Sequence, residues 1–202
     1  MPEKLYETIR SAILLKLSNG LAKDLFYHGV HHTIDVEQQA IRIAHREKIT
    51  SAGDLFLLKV GCLYHDTGFL FTYREHELAG CELAKKELPA FGLTQQQIQI
   101  ICGLIMATKI PQSPNTQLEE IICDADLDYL GRDDFFPISD TLFEELKARN
   151  IVAGKYNWNI IQMNFFKQHQ YCTATNLQLR AAKKQQHLEI IASENEAIQI
   201  GL

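Results

Sequence analysis

Residues 55–68 read Leu-Phe-Leu-Leu-Lys-Val-Gly-Cys-Leu-Tyr-His-Asp-Thr-Gly, a nearly unbroken apolar run that ends in a histidine and an aspartate. Thr50 or Ser51 can cap a helix before the run, and the final glycine can stop it. A helix this apolar should be buried, so His65 and Asp66 would lie in or beside the core. Burying an uncompensated carboxylate costs several kcal/mol. Asp66 therefore needs either a divalent cation or a nearby Arg or Lys side chain.

Two histidines within residues 27–36 are spaced as neighbours on a helix. His28 and His32 are four positions apart, so they point in the same direction, while His31 points elsewhere. His32 shares an apolar helical face with Val36, so it should point inward. A histidine in this position is either a core residue hydrogen-bonded to a neighbour or a metal ligand. This segment alone leaves both interpretations open.

A third segment opens with a capping-box pattern at residues 116–119 and continues into three alternating acids. On a helix, Asp124 and Asp128 lie on one side, whereas Asp126 lies on the other side with Ile122. Asp126 is therefore the acid that turns toward the apolar side and requires a partner. The other two fit a solvated surface better, although Asp124 stays open as an alternative metal ligand.

The order of a histidine, a His-Asp pair and a distant aspartate over about residues 24–135 resembles the HD superfamily of metal-dependent phosphohydrolases. The resemblance implies a helical bundle of the HD-domain type. It also implies that His32, His65, Asp66 and Asp126 hold one divalent metal ion, with Mn, Zn, Fe, Ni and Mg not distinguished. The implied reaction is cleavage of a phosphate ester by metal-activated water, which Asp66 would also orient.

Residues 27–36 are also similar to the Tyr-His-Asn segment of class I cyclic-nucleotide phosphodiesterases. That resemblance implies that His28 is the general acid and that the histidine four residues later binds metal. The chain departs from the pattern at Gly29, which replaces the Asn, and at Phe69, which stands where a second histidine would extend a two-metal site. Residues 107–109, Ala-Thr-Lys, occupy the place of a further histidine in two-metal HD proteins. These departures favour one metal ion.

Further residues are candidates for contact with substrate. His76 stands where some HD proteins keep an extra histidine, although a polar loop before a helix explains it equally well. Lys109 could hold a phosphate, or it could simply complement a helix dipole. Arg132 could bind phosphate through two hydrogen bonds, or it could pair with an acid such as Asp134. His169 lies in an aromatic-rich segment that could close over a pocket, although packing is the more usual role.

Length and composition fit one compact domain over residues 1–202. With 202 residues, 46% hydrophobic residues and a net charge of −5, the chain can bury a sizeable core. Its apolar residues recur at helical rather than strand spacing, which predicts an all-α fold. We expect an HD-like core at about 24–135 and a helical C-terminal extension at about 138–202. The predicted helices are an N-terminal helix that stops at 18–20 and helices at 34–47, 52–66, 76–88, 95–108, 117–130, 140–149 and 156–192, the last broken near Thr173.

The composition also limits the compartment and the partners. Five cysteines without paired short spacing indicate a reducing compartment, and the chain has neither a signal-peptide pattern nor an apolar stretch of 18 residues. We therefore expect a cytoplasmic protein without a membrane partner. The acidic balance predicts no binding to duplex nucleic acid. The oligomeric state stays open.

The sequence favours an enzyme that acts on a small phosphorylated substrate, with a nucleotide as the leading candidate. An alternative is a regulatory module that binds a metal or nucleotide without turnover. A third hypothesis, a di-iron oxygenase of the HD type, needs extra histidines that residues 107–109 do not supply. The substrate cannot be named from the metal ligands, because the pocket walls decide specificity.

Overall fold

The computed structural model describes residues 2–199. Within this range the chain forms α-helices and short 3-10 turns, without a β-strand, so the predicted all-α fold is confirmed. The α-helices are α1 (Pro2–Gly20), α2 (Val30–Arg46), α3 (Ala52–Tyr64), α4 (His76–Glu87), α5 (Gln95–Ala107), α6 (Gln117–Asp126), α7 (Phe135–Ala148), α8 (Lys155–Gln168) and α9 (Ala174–Gln199). The 3-10 turns are Thr67–Leu70, Leu88–Phe91 and Asp128–Gly131.

Side chains at the N-termini fix where several helices begin. The Ser51 side chain accepts a hydrogen bond from the backbone N–H of Asp54 at the start of α3. The predicted capping box at the start of α6 is present, with Thr116 and Glu119 each bonded to the other's backbone. Caps of this kind stabilise a helix by about 1 kcal/mol each.

Helix α3 is the central helix of the first half of the chain, as its apolar sequence predicted. Leu63 and Tyr64 join a core formed with α1, α4 and α5. Leu58 and Cys62, on the opposite side, join a second core formed with α2 and α6. Because α3 is covered on both sides, its C-terminal end delivers His65 into the interior.

Several predicted boundaries differ from the structure, and the helix predicted at 34–47 begins earlier, at Val30. Two of the differences have local reasons. The predicted helix at 117–130 ends at Asp126, because Leu127 leaves the helical conformation and a 3-10 turn follows. The predicted helix at 140–149 begins earlier, at Phe135, and includes Pro137. A proline in the first turn of a helix removes no hydrogen bond, because the N–H groups there have no partner within the helix.

The C-terminal helices pack back onto the first half. The break predicted near Thr173 is present, since residues 169–173 separate α8 from α9. A third core joins Tyr27 and Leu130 to Phe135, Phe166 and Ile191 from α7, α8 and α9. Among residues 2–199, no helix is both long and apolar enough to span a bilayer.

Asp124 and Asp128 are fully buried, so the expectation of a solvated surface at these positions was wrong. The Asp124 carboxylate accepts hydrogen bonds from the backbone N–H groups of Cys172 and Thr173, both at 2.8 Å. Asp128 binds Arg180 at 2.9 Å, together with Arg42 and Asn176. The C-terminal segment covers this side of α6, and local periodicity could not reveal that cover.

Candidate metal centre and cavity

Histidine and aspartate side chains from separate segments meet at the end of α3. His32 comes from the first turns of α2, and His65 and Asp66 follow directly after α3. One ligand atom from each of these three buried residues lies within 4.8 Å of the other two. The Nε2 atoms of His32 and His65 are 3.3 Å apart, and Asp66 Oδ2 lies 3.4 Å and 3.3 Å from them.

Asp126, the last residue of α6, approaches the same group of side chains from a third helix. Its Oδ1 atom lies 3.1 Å from His32 Nε2 and 3.7 Å from His65 Nε2. Two atoms that bind one ion at about 2.1 Å commonly lie about 3.0–3.4 Å apart. The spacing of these donor atoms is therefore close to what a shared ion requires.

The protonation pattern also favours a cation. His65 Nδ1 lies 2.8 Å from the carbonyl oxygen of Cys62, which can only accept, so Nδ1 carries a proton and Nε2 is the ring nitrogen that remains for a metal ion. Asp66 Oδ2 is buried and accepts no hydrogen bond from any described residue. A single proton on His32 Nε2 would face a carboxylate oxygen of Asp66 and one of Asp126, and it could bind only one of them well. A divalent ion binds all of them, so the residues fit the metal that the sequence predicted.

The charges of the site follow from burial and close pairing. Burial alone would lower the pKa of His65, but the Asp66 carboxylate outweighs it and raises this pKa to about 9. Burial would raise the pKa of Asp66, but His65 and His76 hold it well below its usual range. Without a bound ion, Asp66 is thus an ionised carboxylate beside a protonated His65, and a metal ion would take the place of the Nε2 proton.

His28 lies next to this cluster and is oriented by a buried glutamate of α7. The Nδ1 atom of His28 is 2.5 Å from Glu145 Oε1, and the backbone N–H groups of Tyr27 and His28 donate to Oε2 at 2.9 Å and 3.1 Å. The Tyr73 hydroxyl donates to Glu145 Oε1 at 3.0 Å. Burial would raise the pKa of Glu145, but the hydrogen bonds from His28 and Tyr27 leave it below its usual value. Glu145 therefore fixes the His28 ring by binding Nδ1 and leaves Nε2 for other partners.

His76, at the start of α4, lies beside the same cluster. Its Nε2 atom is 3.4 Å from Asp66 Oδ1, and its ring stacks on Phe69 with the centroids 4.0 Å apart. The close approach depends on Gly68, because a Cβ atom there would lie 1.8 Å from the carbonyl oxygen of His76. The glycine after the His-Asp pair thus allows α4 to bring His76 to the site.

The structure does not bring Lys109 and Arg132 to the cluster. Lys109 is half-exposed and binds Glu75 at 2.7 Å. Arg132 binds Asp35 and Asp134, each at 2.8 Å, which is the ion-pair alternative considered for this residue. Neither side chain lines the cavity described below.

A cavity of about 450 Å³ opens from the cluster into the bundle. Its inner end is lined by His28, Asp66, His76 and Asp126. The rest of its wall is mainly apolar and comes largely from α7 and α8, beyond the residues that carry the metal cluster. The C-terminal helices therefore form much of the wall of the cavity through which a small molecule would reach the cluster.

Glu145 is the functional residue that the sequence analysis missed. It stands three positions after Leu142 and one before Leu146, both of which line the cavity, so it lies on the inner face of α7. Helical spacing places Glu145 on the apolar face of its helix, just as it places Asp126 on the apolar face of α6. Its link to His28 spans 117 positions and has no sequence pattern of its own.

Comparison with known proteins gives one family. Residues 29–128 match the family model described as HD domain, and this match includes His32, His65, Asp66 and Asp126. The match ends before α7, α8 and α9. No curated protein and no solved structure is significantly similar to the chain.

Proposed function

Because the chain belongs to the HD superfamily through residues 29–128, we propose that it is a metal-dependent phosphohydrolase that cleaves a phosphate ester of a nucleotide or a similar small molecule. The observation that carries the proposal is the convergence of two imidazole nitrogens and two carboxylates at the inner end of a cavity. Water attacks phosphorus in this reaction, and the ester oxygen leaves with a proton.

Four residues would hold one divalent ion: His32, His65, Asp66 and Asp126. When bound, the ion would supply Lewis acidity toward a phosphoryl oxygen and would lower the pKa of water at the site toward neutrality. The Cys62 carbonyl oxygen accepts the hydrogen bond from His65 Nδ1, which fixes the ring so that Nε2 would bind the ion once its proton is displaced.

Two histidines that line the cavity beside these ligands, His28 and His76, contact the substrate. We assign to His28 the donation of a proton to the leaving oxygen, and to Glu145 the positioning of the His28 ring. Asp66 orients the attacking water with a carboxylate oxygen. His76, with its imidazole 3.4 Å from Asp66, faces the substrate side of the same carboxylate.

The free cysteines suit a reducing compartment, and the proposal includes the cytoplasm as the place of action. The small phosphorylated substrate would reach the cluster through the cavity, without a membrane or duplex nucleic acid as partner.

A metal-reconstitution assay tests the proposal. The purified protein is stripped with a chelator, reloaded separately with Mn²⁺, Zn²⁺, Fe²⁺, Ni²⁺ or Mg²⁺, and assayed for phosphate release from nucleotides and simple phosphate esters. We expect about one bound ion per chain and hydrolysis only by the reloaded protein. Tight binding of ion and nucleotide without release of product under any condition would instead support the regulatory module. Oxygen uptake with two bound iron ions would support an oxygenase.

A further inference from the structure

The cavity wall beyond the metal ligands is built from large apolar side chains. They include side chains of the 3-10 turn after α6 and of helices α7 and α8, among them Leu130, Leu142, Leu146, Trp158, Ile161 and Phe165. Transfer of an apolar ligand group from water onto an apolar surface of this extent is favourable. The same surface does not compensate a charged group for the loss of its hydration.

Positive charge in the cavity is confined to its inner end. Among residues 2–199, no Lys or Arg side chain lines the cavity, and its only basic side chains are His28 and His76. A polyphosphate chain carries several negative charges, which proteins neutralise with Lys, Arg and metal ions. The inner end therefore accommodates one phosphoryl group, and the apolar wall has no groups to neutralise a second or third.

One hydrogen-bond donor on α8, the amide of Gln162, interrupts the apolar wall. The Gln162 carbonyl oxygen accepts from the Ser139 hydroxyl at 2.6 Å, which orients the amide so that its NH₂ group is the remaining donor. That NH₂ group has only a long contact, 3.4 Å to Asn159 Oδ1. A buried donor without a close partner is costly, so this NH₂ group requires an acceptor from a ligand.

From these observations we propose that the substrate is a single-phosphate ester whose organic part is a bulky, mainly apolar group carrying a hydrogen-bond acceptor. The phosphoryl group lies at the metal cluster, the apolar group lies against α7 and α8, and the acceptor meets the NH₂ group of Gln162. Polyphosphates are excluded as preferred substrates. This inference rests on the proposed function, which it makes more specific.

Matched synthetic esters separate the contributions of size, acceptor and charge. Ethyl phosphate, 2-(1-naphthyl)ethyl phosphate and 2-(quinolin-5-yl)ethyl phosphate all release primary alcohols, so their leaving groups are similar. We expect kcat/KM to rise about 100-fold from the ethyl to the naphthylethyl ester, because a buried ring system is removed from water. The ring nitrogen of the quinoline should add about fivefold. The naphthylethyl diphosphate should be at least about tenfold poorer than the monophosphate.

Two variants test the assigned contacts. Gln162→Met removes the amide NH₂ group at similar side-chain size and should abolish the preference for quinoline over naphthalene. Ile161→Trp narrows the cavity at a half-exposed position, where the fold tolerates it, and should reduce kcat/KM for the naphthylethyl ester about tenfold more than for ethyl phosphate. Tyr156→Phe, on the exposed side of the same helix, is the matched control and should keep the parent's ratios.

The outcomes distinguish this inference from the proposed function. Hydrolysis of all esters at similar kcat/KM, or a preference for the diphosphate, would overturn the inference and leave the phosphohydrolase intact. If no ester is hydrolysed with any ion, the proposed function fails, and calorimetric binding of the same esters decides the inference. Tighter binding of the quinolinylethyl than of the ethyl ester would support the ligand class, and equal binding would refute it.

Discussion

Glu145 contacts His28 on both its side chain and its backbone, with Oε1 2.5 Å from Nδ1 and Oε2 3.1 Å from the backbone N–H. Glu145 is fully buried in α7, outside the stretch that matches the HD domain. His28, the candidate proton donor, lies one residue before the matched stretch and is thus oriented by a helix that follows that stretch. A His-carboxylate pair of this kind holds one ring nitrogen and presents the other to the substrate.

Glu145→Gln should reduce kcat for an alkyl phosphate ester about 10- to 100-fold, because the amide no longer holds the protonated His28 ring in position. The reduction should be smaller for a p-nitrophenyl ester, whose leaving group departs as a stable anion. Glu144→Gln, at the exposed neighbouring position, is the control and should retain parent kinetics. Equal losses on both esters would mean that Glu145 only maintains the fold.

His28→Ala should keep the parent's metal content and hydrolyse an alkyl phosphate ester about 100-fold more slowly, the usual contribution of a positioned proton donor. The deficit should shrink with a p-nitrophenyl ester. Metal analysis and steady-state kinetics on the two esters provide the test. A loss of bound metal would make His28 a ligand, and equal deficits on both esters would assign it to substrate binding.

The helices that carry the candidate ligands were predictable because each signal is local. The apolar run before His65 and the position of Asp126 beside Ile122 follow from helical periodicity within one turn. Both segments lie where the sequence placed them, and the residues from these separate segments meet.

The rest of the site depends on contacts that no local pattern contains. Asp124 binds the backbone near Thr173, and Asp128 binds Arg180, so their burial is decided about 50 positions further along the chain. Lys109 pairs with Glu75, which lies 34 positions earlier in the chain. The sequence shows that these residues are charged, but the tertiary packing decides whether they meet each other, the solvent or a ligand.

His65→Ala and Asp66→Ala should each lose the bound metal, because removing one of four ligands opens the site and leaves the charge of the others uncompensated. Metal content per chain is measured alongside far-ultraviolet circular dichroism, so that loss of metal is compared in folded protein. His45→Ala, at an exposed position of α2, is the control and should retain the metal. Stoichiometric metal in both ligand variants would rule out the proposed set.

His169 should make the fold sensitive to acid. Burial, with a contribution from the nearby Lys184, lowers the pKa of His169 from 6.5 to about 3, and neither ring nitrogen has a partner among the described residues. Between these two pKa values His169 is protonated in the unfolded chain and neutral in the folded chain. The stability contributed by neutral His169 is therefore present above pH 6.5 and is lost as the pH falls toward 3.

His169→Phe should reduce the dependence of the unfolding free energy on pH between about pH 4 and pH 6 by up to about 1.4 kcal/mol per pH unit, the equivalent of one proton. Urea unfolding of metal-free parent and variant at several pH values measures this slope. His45→Gln should leave it unchanged, since His45 is exposed. An unchanged slope in His169→Phe would show that His169 is protonated in the folded protein.

The final prediction separates the two aspartates of α6. Asp126→Asn should lose metal and hydrolysis together, because Asp126 Oδ1 lies 3.1 Å from His32 Nε2 and an amide is a weaker ligand for a divalent ion. Asp124→Asn should keep most of the metal but lower Tm, because the amide can no longer accept the hydrogen bonds from both backbone N–H groups at residues 172 and 173. Metal content, hydrolysis and thermal unfolding are measured on both variants. Loss of metal from Asp124→Asn with retention in Asp126→Asn would transfer the ligand role to Asp124 and contradict the observed placement of Asp126.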